Sequence, residues 1–317
     1  MRVGGRKRRA RACHRVPVDR PNVGLRLFQP CPKKIFRGKM ADCRPSWLDS
    51  FMKYCRFQVN GQAQYGLVES VAGRDTIQRI LLSPPEESDG DVEGLRSRRI
   101  EPMGLEEAEL LPPVRPSKIV CVGRNYRGHA AELGNEVPKE PLLFFKPSSS
   151  LLATGGAVRR PKISERVDYE GELCVVIGKT CYKPREDEDL RQIILGYTCL
   201  NDISARDLQK KDGQWVRAKG YDTFCPVGPV VTDGIDPWAG VGVETRINGE
   251  VRQSGNTRDF IFSLDVMIRY IAQVMTLFPG DLIATGTPEG VGPIVAGDVM
   301  EVSVEGVGTL RNSVVDE

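Results

Sequence analysis

Histidine is almost missing from this chain: there are two in 317 residues, and one of them, His14, falls in a basic leader. Any imidazole chemistry in the body therefore falls on His129, and a histidine-rich metal centre is excluded. Nine cysteines, an odd number at irregular spacings with no CxxC, exclude a zinc ribbon and a disulfide framework. They read as reduced thiols, with Cys174 and Cys199 inside apolar strands, which is a cytoplasmic signature. No apolar run approaches the roughly 18 residues of a membrane span, and no secretory h-region is visible. Neither GxxxxGK[ST] nor GxGxxG occurs, which removes the P-loop and the dinucleotide fingerprint.

Charge is unevenly divided. Residues 1–51 hold 14 Lys/Arg against 3 Asp/Glu, so the rest carries 31 against 39 and the formal net charge of +3 hides an acidic body. A phosphate-tracking surface needs clustered positive charge on the folded part, so nucleic acid is excluded as a partner. With 40% hydrophobic and 27% charged residues, the chain has the composition of a soluble globular protein. It is long enough for one large domain and a small one. The leader carries Arg6-Lys7-Arg8-Arg9, scattered prolines and no hydrophobic period, so disorder is expected over 1–51. It reads as a mitochondrial transit peptide, as a basic arm for an anionic surface, or as sequence upstream of a start at Met52. The last is favoured, because a patterned strand begins immediately after Met52.

From Lys53 polar and apolar residues alternate up to Asn60-Gly61 and again from Gln62 to Val68, which predicts a hairpin on a two-residue turn. Residues 84–115, rich in Pro, Glu, Asp and Gly, read as a surface connection with one short strand. A small N-terminal β domain over 52–113 is therefore expected, ahead of a main domain over 114–317 that opens with the apolar strand Lys118 to Gly123. Val241 to Ile247, Asn248-Gly249 and Glu250 to Gln253 predict another hairpin. Leu264, Met267, Ile268, Ile271, Val274 and Met275 stand at helical spacing behind a cap at Ser263 or Asp259, with a stop at Pro279-Gly280. Strands close the chain through Val299 to Val307 and Thr309 to Val315.

Five features carry chemistry. In Val167-Asp168-Tyr169-Glu170-Gly171-Glu172-Leu173 an extended strand puts Asp168, Glu170 and Glu172 on one face. Two like charges about 5 Å apart at an effective dielectric of about 20 repel by roughly 3 kcal/mol. A bound cation turns that repulsion into a site; an edge strand with a solvated acidic face is the alternative. Next, Asn125 to Leu133 reads as a short helix ended by Gly134, with His129 and Glu132 one turn apart, either as a general-base pair or as a surface ion pair. Then the apolar run Tyr197 to Leu200 delivers Asn201-Asp202, where Asp202 is either a third oxygen ligand or a helix N-cap. Lys219, set among aromatics, reads as a contact for a substrate anion or an enolate, or as a solvated lysine. The glycines from Thr285 to Pro293 let backbone N–H groups and Thr287 approach a small anion.

Together these motifs resemble a known family. Val122-Gly123-Arg124-Asn125-Tyr126, His129 with Glu132, Lys146-Pro147, Asp168 to Glu172, Asn201-Asp202 to Gln209, Ala218-Lys219, Gln253-Ser254-Gly255 and Thr285 to Pro293 resemble the fumarylacetoacetate hydrolase family. The resemblance covers about residues 116–315, with a weaker match from Met52 to about 113. It is nearest to acylpyruvase-like and oxaloacetate decarboxylase-like single-domain members. The eponymous enzyme's aspartate ligand upstream of its catalytic histidine has no carboxylate counterpart here.

The resemblance implies a mainly β fold with short helices, a mixed β-sandwich roll in a homodimer. It implies Mg²⁺ or Mn²⁺ held by Glu170, Glu172 and Asp202, with Ca²⁺ as a non-productive occupant. An all-carboxylate set independently favours a hard divalent ion. It further implies a small 2-oxo acid substrate among Arg206, Gln209, Lys219 and Thr287, under a lid helix carrying His129 and Glu132. The reaction expected is water activation by His129, attack on the distal carbonyl of a 2,4-dioxo acid of the acylpyruvate type, and C–C cleavage that leaves an ion-stabilised pyruvate enolate. Oxaloacetate decarboxylation, isomerisation or hydration of 2-hydroxymuconate-type acids of aromatic catabolism, and a metal-binding paralogue without turnover stay open beside it.

Overall fold

The computed structural model describes residues 51–317 except 90, 92, 93, 133 and 135. The expected disorder of the leader falls outside the described residues.

Lys53–Val59 pairs antiparallel with Gln62–Val71 in the expected hairpin. Asn60 (φ 50°) and Gly61 (φ 76°) both lie in the left-handed region, as the tight primed turn requires. Arg74–Leu81 and Ser97–Gly104 extend this sheet to its edge, and Glu109–Leu111 pairs with Lys53–Val59. The 84–115 stretch thus holds two strands, where one was expected. Of the outer strand only Ile100 and Met103 pack on the core, a spacing of three that hides the strand's period of two. Its Pro102 is tolerated because an edge strand has no outer partner to donate to.

The same sheet runs on without a break. Lys53↔Thr232 and Tyr54↔Val231 join the N-terminal strands to Cys225–Thr232. Beyond it lie Ile194–Asn201, Gly171–Ile177, Leu282–Ala284, Ile119–Gly123 and Leu142–Lys146. Most pairings are antiparallel, but Leu282–Ala284 runs parallel to Ile119–Gly123, so the sheet is mixed. A second sheet has the order Glu250–Asn256, Gly242–Ile247, Val299–Val304, Gly308–Asp316 and Ala157–Arg160. Strict buried–intermediate alternation in Gly242–Ile247 and Val299–Val304 shows that one of its faces meets the core.

Gly171–Ile177 is buried along its whole length. Leu173, Val175 and Ile177 meet Val243, Val302 and Leu310 of the second sheet, with Met267 and Ile271 from a helix. Cys174 and Val176 meet Tyr54, Cys121 and Val227 in a second core on the other side. Burying each such Leu, Val or Ile contributes about 1.5–3 kcal/mol, so displacing this strand is costly.

Helices are few and short; the longest among the described residues is Leu264–Val274, capped by the Ser263 hydroxyl, which accepts from Val266 N. It ends five residues before the expected stop at Pro279-Gly280. Met275 is already extended, because Leu277 exchanges backbone hydrogen bonds with Cys181 at 2.8 and 2.9 Å and a strand-like bridge replaces the next turn.

Candidate active site

The acidic stretch is not one strand. Val167–Tyr169 belongs to a three-stranded sheet with Ser204–Ala205 and Gly292–Pro293, whereas Gly171–Ile177 belongs to the large sheet, so the chain changes sheets at Glu170. Glu170 N donates to Asn201 Oδ1 at 2.9 Å, and its carbonyl accepts from Asp202 N at 2.8 Å. Gly171 permits the crossing, because a Cβ there would sit 2.0 Å from Thr245 Oγ1 and 3.1 Å from Val302 Cγ1. The solvated acidic face is overturned: Asp168, Glu170 and Glu172 are 0%, 4% and 3% exposed. Asp168 departs from the other two, since its carboxylate accepts from Arg166 (2.8 and 3.1 Å) and from Arg206 Nε (3.0 Å).

Asp202 follows the end of Ile194–Asn201, beside Glu170. It is not a helix cap, because the helix Arg206–Asp212 starts after Ala205. Its carboxylate is bracketed instead, with Lys146 Nζ 2.6 Å from Oδ1 and Lys219 Nζ 2.6 Å from Oδ2. Lys219 is buried rather than solvated and also lies 2.6 Å from Glu170 Oε2, while Arg206 Nη2 contacts Glu170 Oε1. One carboxylate oxygen from each of Glu170, Glu172 and Asp202 lies within 4.8 Å of the others.

Glu172 alone lacks a cation; its Oε2 accepts only from Gly286 N, at 2.8 Å. Burial, with Asp202 and Glu170 alongside, pushes its carboxyl well above the usual range. Burial also opposes ionisation of Glu170, but Lys219 and Arg206 overcome it and hold that carboxyl well below. For Lys219 burial works against the charged form, and Asp202 and Glu170 outweigh it and raise its pKa. A buried all-oxygen set with one carboxylate lacking a cation fits a hard divalent ion, held by Glu170, Glu172 and Asp202.

His129 and Glu132 lie on the short helix Arg127–Glu132. His129 is 4% exposed, which removes the surface-pair reading. Its Nδ1 is 3.5 Å from Glu132 Oε2 without a hydrogen bond, because the Glu132 carboxylate accepts from Gly290 N at 3.1 and 3.2 Å. Burial lowers the His129 pKa below 6.5 against the opposing pull of Glu170, so the imidazole is neutral at pH 7. The glycine-rich loop accordingly turns two N–H groups onto the protein's own carboxylates, Gly286 to Glu172 and Gly290 to Glu132.

A cleft of about 380 Å³ is lined by His129, Glu132, Glu170, Glu172, Asp202, Arg206, Gln209, Lys219 and Thr287, the full set expected from the sequence. Arg206 also donates to Gln209 Oε1 at 2.7 Å, and the Thr287 hydroxyl donates to Gly171 O and accepts from Gln253 Nε2. Arg124, Phe144, Lys210 and Trp215 line the cleft as well and were not expected. Phe144 and Trp215 meet edge to face at 5.1 Å, with Lys219 Nζ 4.9 Å from the Phe144 ring centre. No spacing signal could have paired residues 71 positions apart. Arg124 sits in the left-handed region at φ 56°, which costs a non-glycine residue roughly 1–2 kcal/mol.

Residues 118–315 match the model of the fumarylacetoacetate (FAA) hydrolase C-terminal family, and residues 52–113 match the Rv2993c-like N-terminal family. The chain is 38% identical to the 2,4-didehydro-3-deoxy-L-rhamnonate hydrolase of Sphingomonas sp. (strain SKA58), over 83% of this chain and 96% of that one. It is 42% identical to oxaloacetate tautomerase YisK of Bacillus subtilis (strain 168), over 66% of this chain and 74% of that one. The crystal structure of 5-carboxymethyl-2-hydroxymuconate delta-isomerase from Mycobacterium smegmatis superposes with a TM-score of 0.75 at 37% identity, covering 84% of this chain and 100% of that one. With more than half of its length matched, its sandwich shared and its buried acidic set in place, this chain belongs to the fumarylacetoacetate hydrolase family.

Proposed function

We propose that the protein is a Mg²⁺- or Mn²⁺-dependent hydrolase that cleaves a C–C bond in 2,4-dioxo acids of the acylpyruvate type. The observation that carries this reading is a neutral, buried His129 in the same cleft as the three carboxylates. An ion at Glu170, Glu172 and Asp202 supplies Lewis acidity toward the 2-oxo acid end of the substrate. His129 takes a proton from water, and Glu132, 3.5 Å away, steadies the imidazolium that results. Water oxygen joins the distal acyl carbon as the C–C bond breaks, and the proton goes to the departing pyruvate carbon. Phe144 and Trp215 give the cleft one aromatic wall. The test is conversion of acetylpyruvate to acetate and pyruvate in ¹⁸O-labelled water: label in the acetate supports hydrolysis, and no turnover overturns it.

A second reading has specific support. The tautomerase and isomerase names of two relatives describe proton shifts, which need no attacking water, and the open 3.5 Å approach of His129 to Glu132 suits a group that exchanges its own proton. Oxaloacetate keto–enol conversion without C–C cleavage selects this reading; release of CO₂ selects decarboxylation. Cytoplasmic residence and a homodimer complete the proposal. All six described cysteines are free and buried, and the edge strand Leu142–Lys146 exposes Leu142 and Phe145 for a second copy. Sedimentation at monomer mass would remove the dimer.

A further inference from the structure

Each buried cation at the ion site is already engaged. Arg206 is divided among Asp168, Glu170 and Gln209, and Lys219 spans Glu170 and Asp202. Arg124 is different. It lines the same cleft, half-buried, and among the described residues its guanidinium has no hydrogen-bond or ion-pair partner. Lys210, the other unpaired cation of the lining, is exposed and solvated.

The backbone makes Arg124 more than a stray surface charge. It occupies the left-handed region although Gly123, which would adopt that conformation freely, immediately precedes it. Asn125 fixes the arrangement. Its Nδ2 donates to Thr285 O at 2.9 Å and Phe262 O at 3.2 Å, its Oδ1 accepts from Phe262 N at 2.8 Å, and its carbonyl accepts from Ile261 N at 2.8 Å. An unfavourable backbone conformation, over-determined by its neighbour, thus delivers an unpaired guanidinium to the cleft.

We infer that Arg124 binds a second carboxylate of the substrate, remote from the 2-oxo acid end, and so selects short 2-oxo dicarboxylates over alkyl acylpyruvates. This rests on the proposed reading that a 2-oxo acid binds at Glu170, Glu172 and Asp202. A planar guanidinium matches a carboxylate through two parallel N–H···O bonds, which a solvated lysine does not reproduce. A cleft of about 380 Å³ stands at the small end of ligand sites, consistent with a short chain.

The experiment compares wild type with Arg124→Gln and Arg124→Gly on three substrates: acetylpyruvate, fumarylpyruvate and oxaloacetate. Loss of a charged hydrogen-bond pair raises KM for the two dicarboxylates by about 10–100-fold, with kcat and the acetylpyruvate KM unchanged. Arg124→Gly, which suits the backbone, keeps or raises Tm and shows the same selectivity loss, which separates recognition from folding. Equal changes on mono- and dicarboxylates, or no change, overturn the inference. Calorimetric titration of the Mn²⁺-loaded proteins with oxaloacetate and with pyruvate reads the same preference without turnover. If wild type acts on no member of the panel, the proposed activity fails; an oxaloacetate preference that survives Arg124→Gln then overturns the Arg124 assignment as well.

Discussion

Lys219 holds its ammonium 2.6 Å from Asp202 Oδ2, and its contact with Glu170 Oε2 is equally short. The lysine therefore competes with a divalent ion for oxygens of two of the three carboxylates. Removing one partner from a buried ion pair costs about 3–5 kcal/mol, so Lys219→Met is expected to lower the ion-free Tm. Mn²⁺ should restore most of it, and Mn²⁺ affinity should rise several-fold while turnover is lost. Weaker Mn²⁺ binding in calorimetry would show that the lysine assists the ion instead.

Glu170→Gln and Glu172→Gln should both weaken Mn²⁺ binding and abolish turnover. They differ in their protons. Glu172 has a raised folded value, so the folded ion-free protein binds more protons than the unfolded chain above about pH 4.3. Its contribution to stability is present at low pH and is lost as pH rises toward the folded value. Within the pH range where this raised carboxyl stays protonated, Mn²⁺ uptake should therefore release a proton from Glu172 in wild type that Glu172→Gln does not release. Titration in buffers of different ionisation enthalpy measures this directly, and equal release in both proteins would remove Glu172 as the source.

His129 separates hydrolysis from proton shift. For an acylpyruvate, His129→Ala should reduce kcat by about 10²–10⁴-fold, and decarboxylation of oxaloacetate, which needs no attacking water, should suffer far less. Glu132→Gln should fall between. The imidazole value is lowered by burial, so the acid limb of kcat/KM in wild type should have its midpoint below pH 6.5. Equal losses on both substrates would leave His129 as a lid contact.

Gly171→Ala places a methyl group 2.0 Å from Thr245 Oγ1. Overpacking of this kind costs about 1–3 kcal/mol and should displace Glu170 and Glu172, weakening ion binding as well as lowering Tm. Adding Thr245→Ala removes the clashing oxygen and should recover part of both. A Gly171→Ala protein with unchanged Tm would mean that the second sheet yields at this point.

The site was legible where chemistry and chain order coincide. Three carboxylates near an Asn-Asp strand end, a solitary histidine and a lysine before glycine each kept a bland alternative, and their order along the chain, through the family resemblance, decided between the two. Partners that fold together from afar were not legible. Lys146 reaches Asp202 across 56 residues, Trp215 meets Phe144 across 71, and Arg124 is marked only by a backbone angle. The change of sheet at Glu170 was hidden for a related reason. Alternation continues through it in sequence, and the break is set by how closely Gly171 approaches Thr245. In the same way the three-residue spacing of Ile100 and Met103 disguised an edge strand as a loop.

Glu170, Glu172 and Asp202 come from two neighbouring strand ends joined by Gly171↔Asn201 and by the hydrogen bond from Asp202 N to Glu170 O. Their spacing is thus inherited from a backbone ladder, and the side chains at the rim have no part in it. Arg124, Lys210 and Trp215 can be exchanged through inheritance without moving an ion ligand. A lineage can acquire a new substrate by altering the rim alone, so hydrolases, tautomerases and isomerases can descend from one unaltered frame.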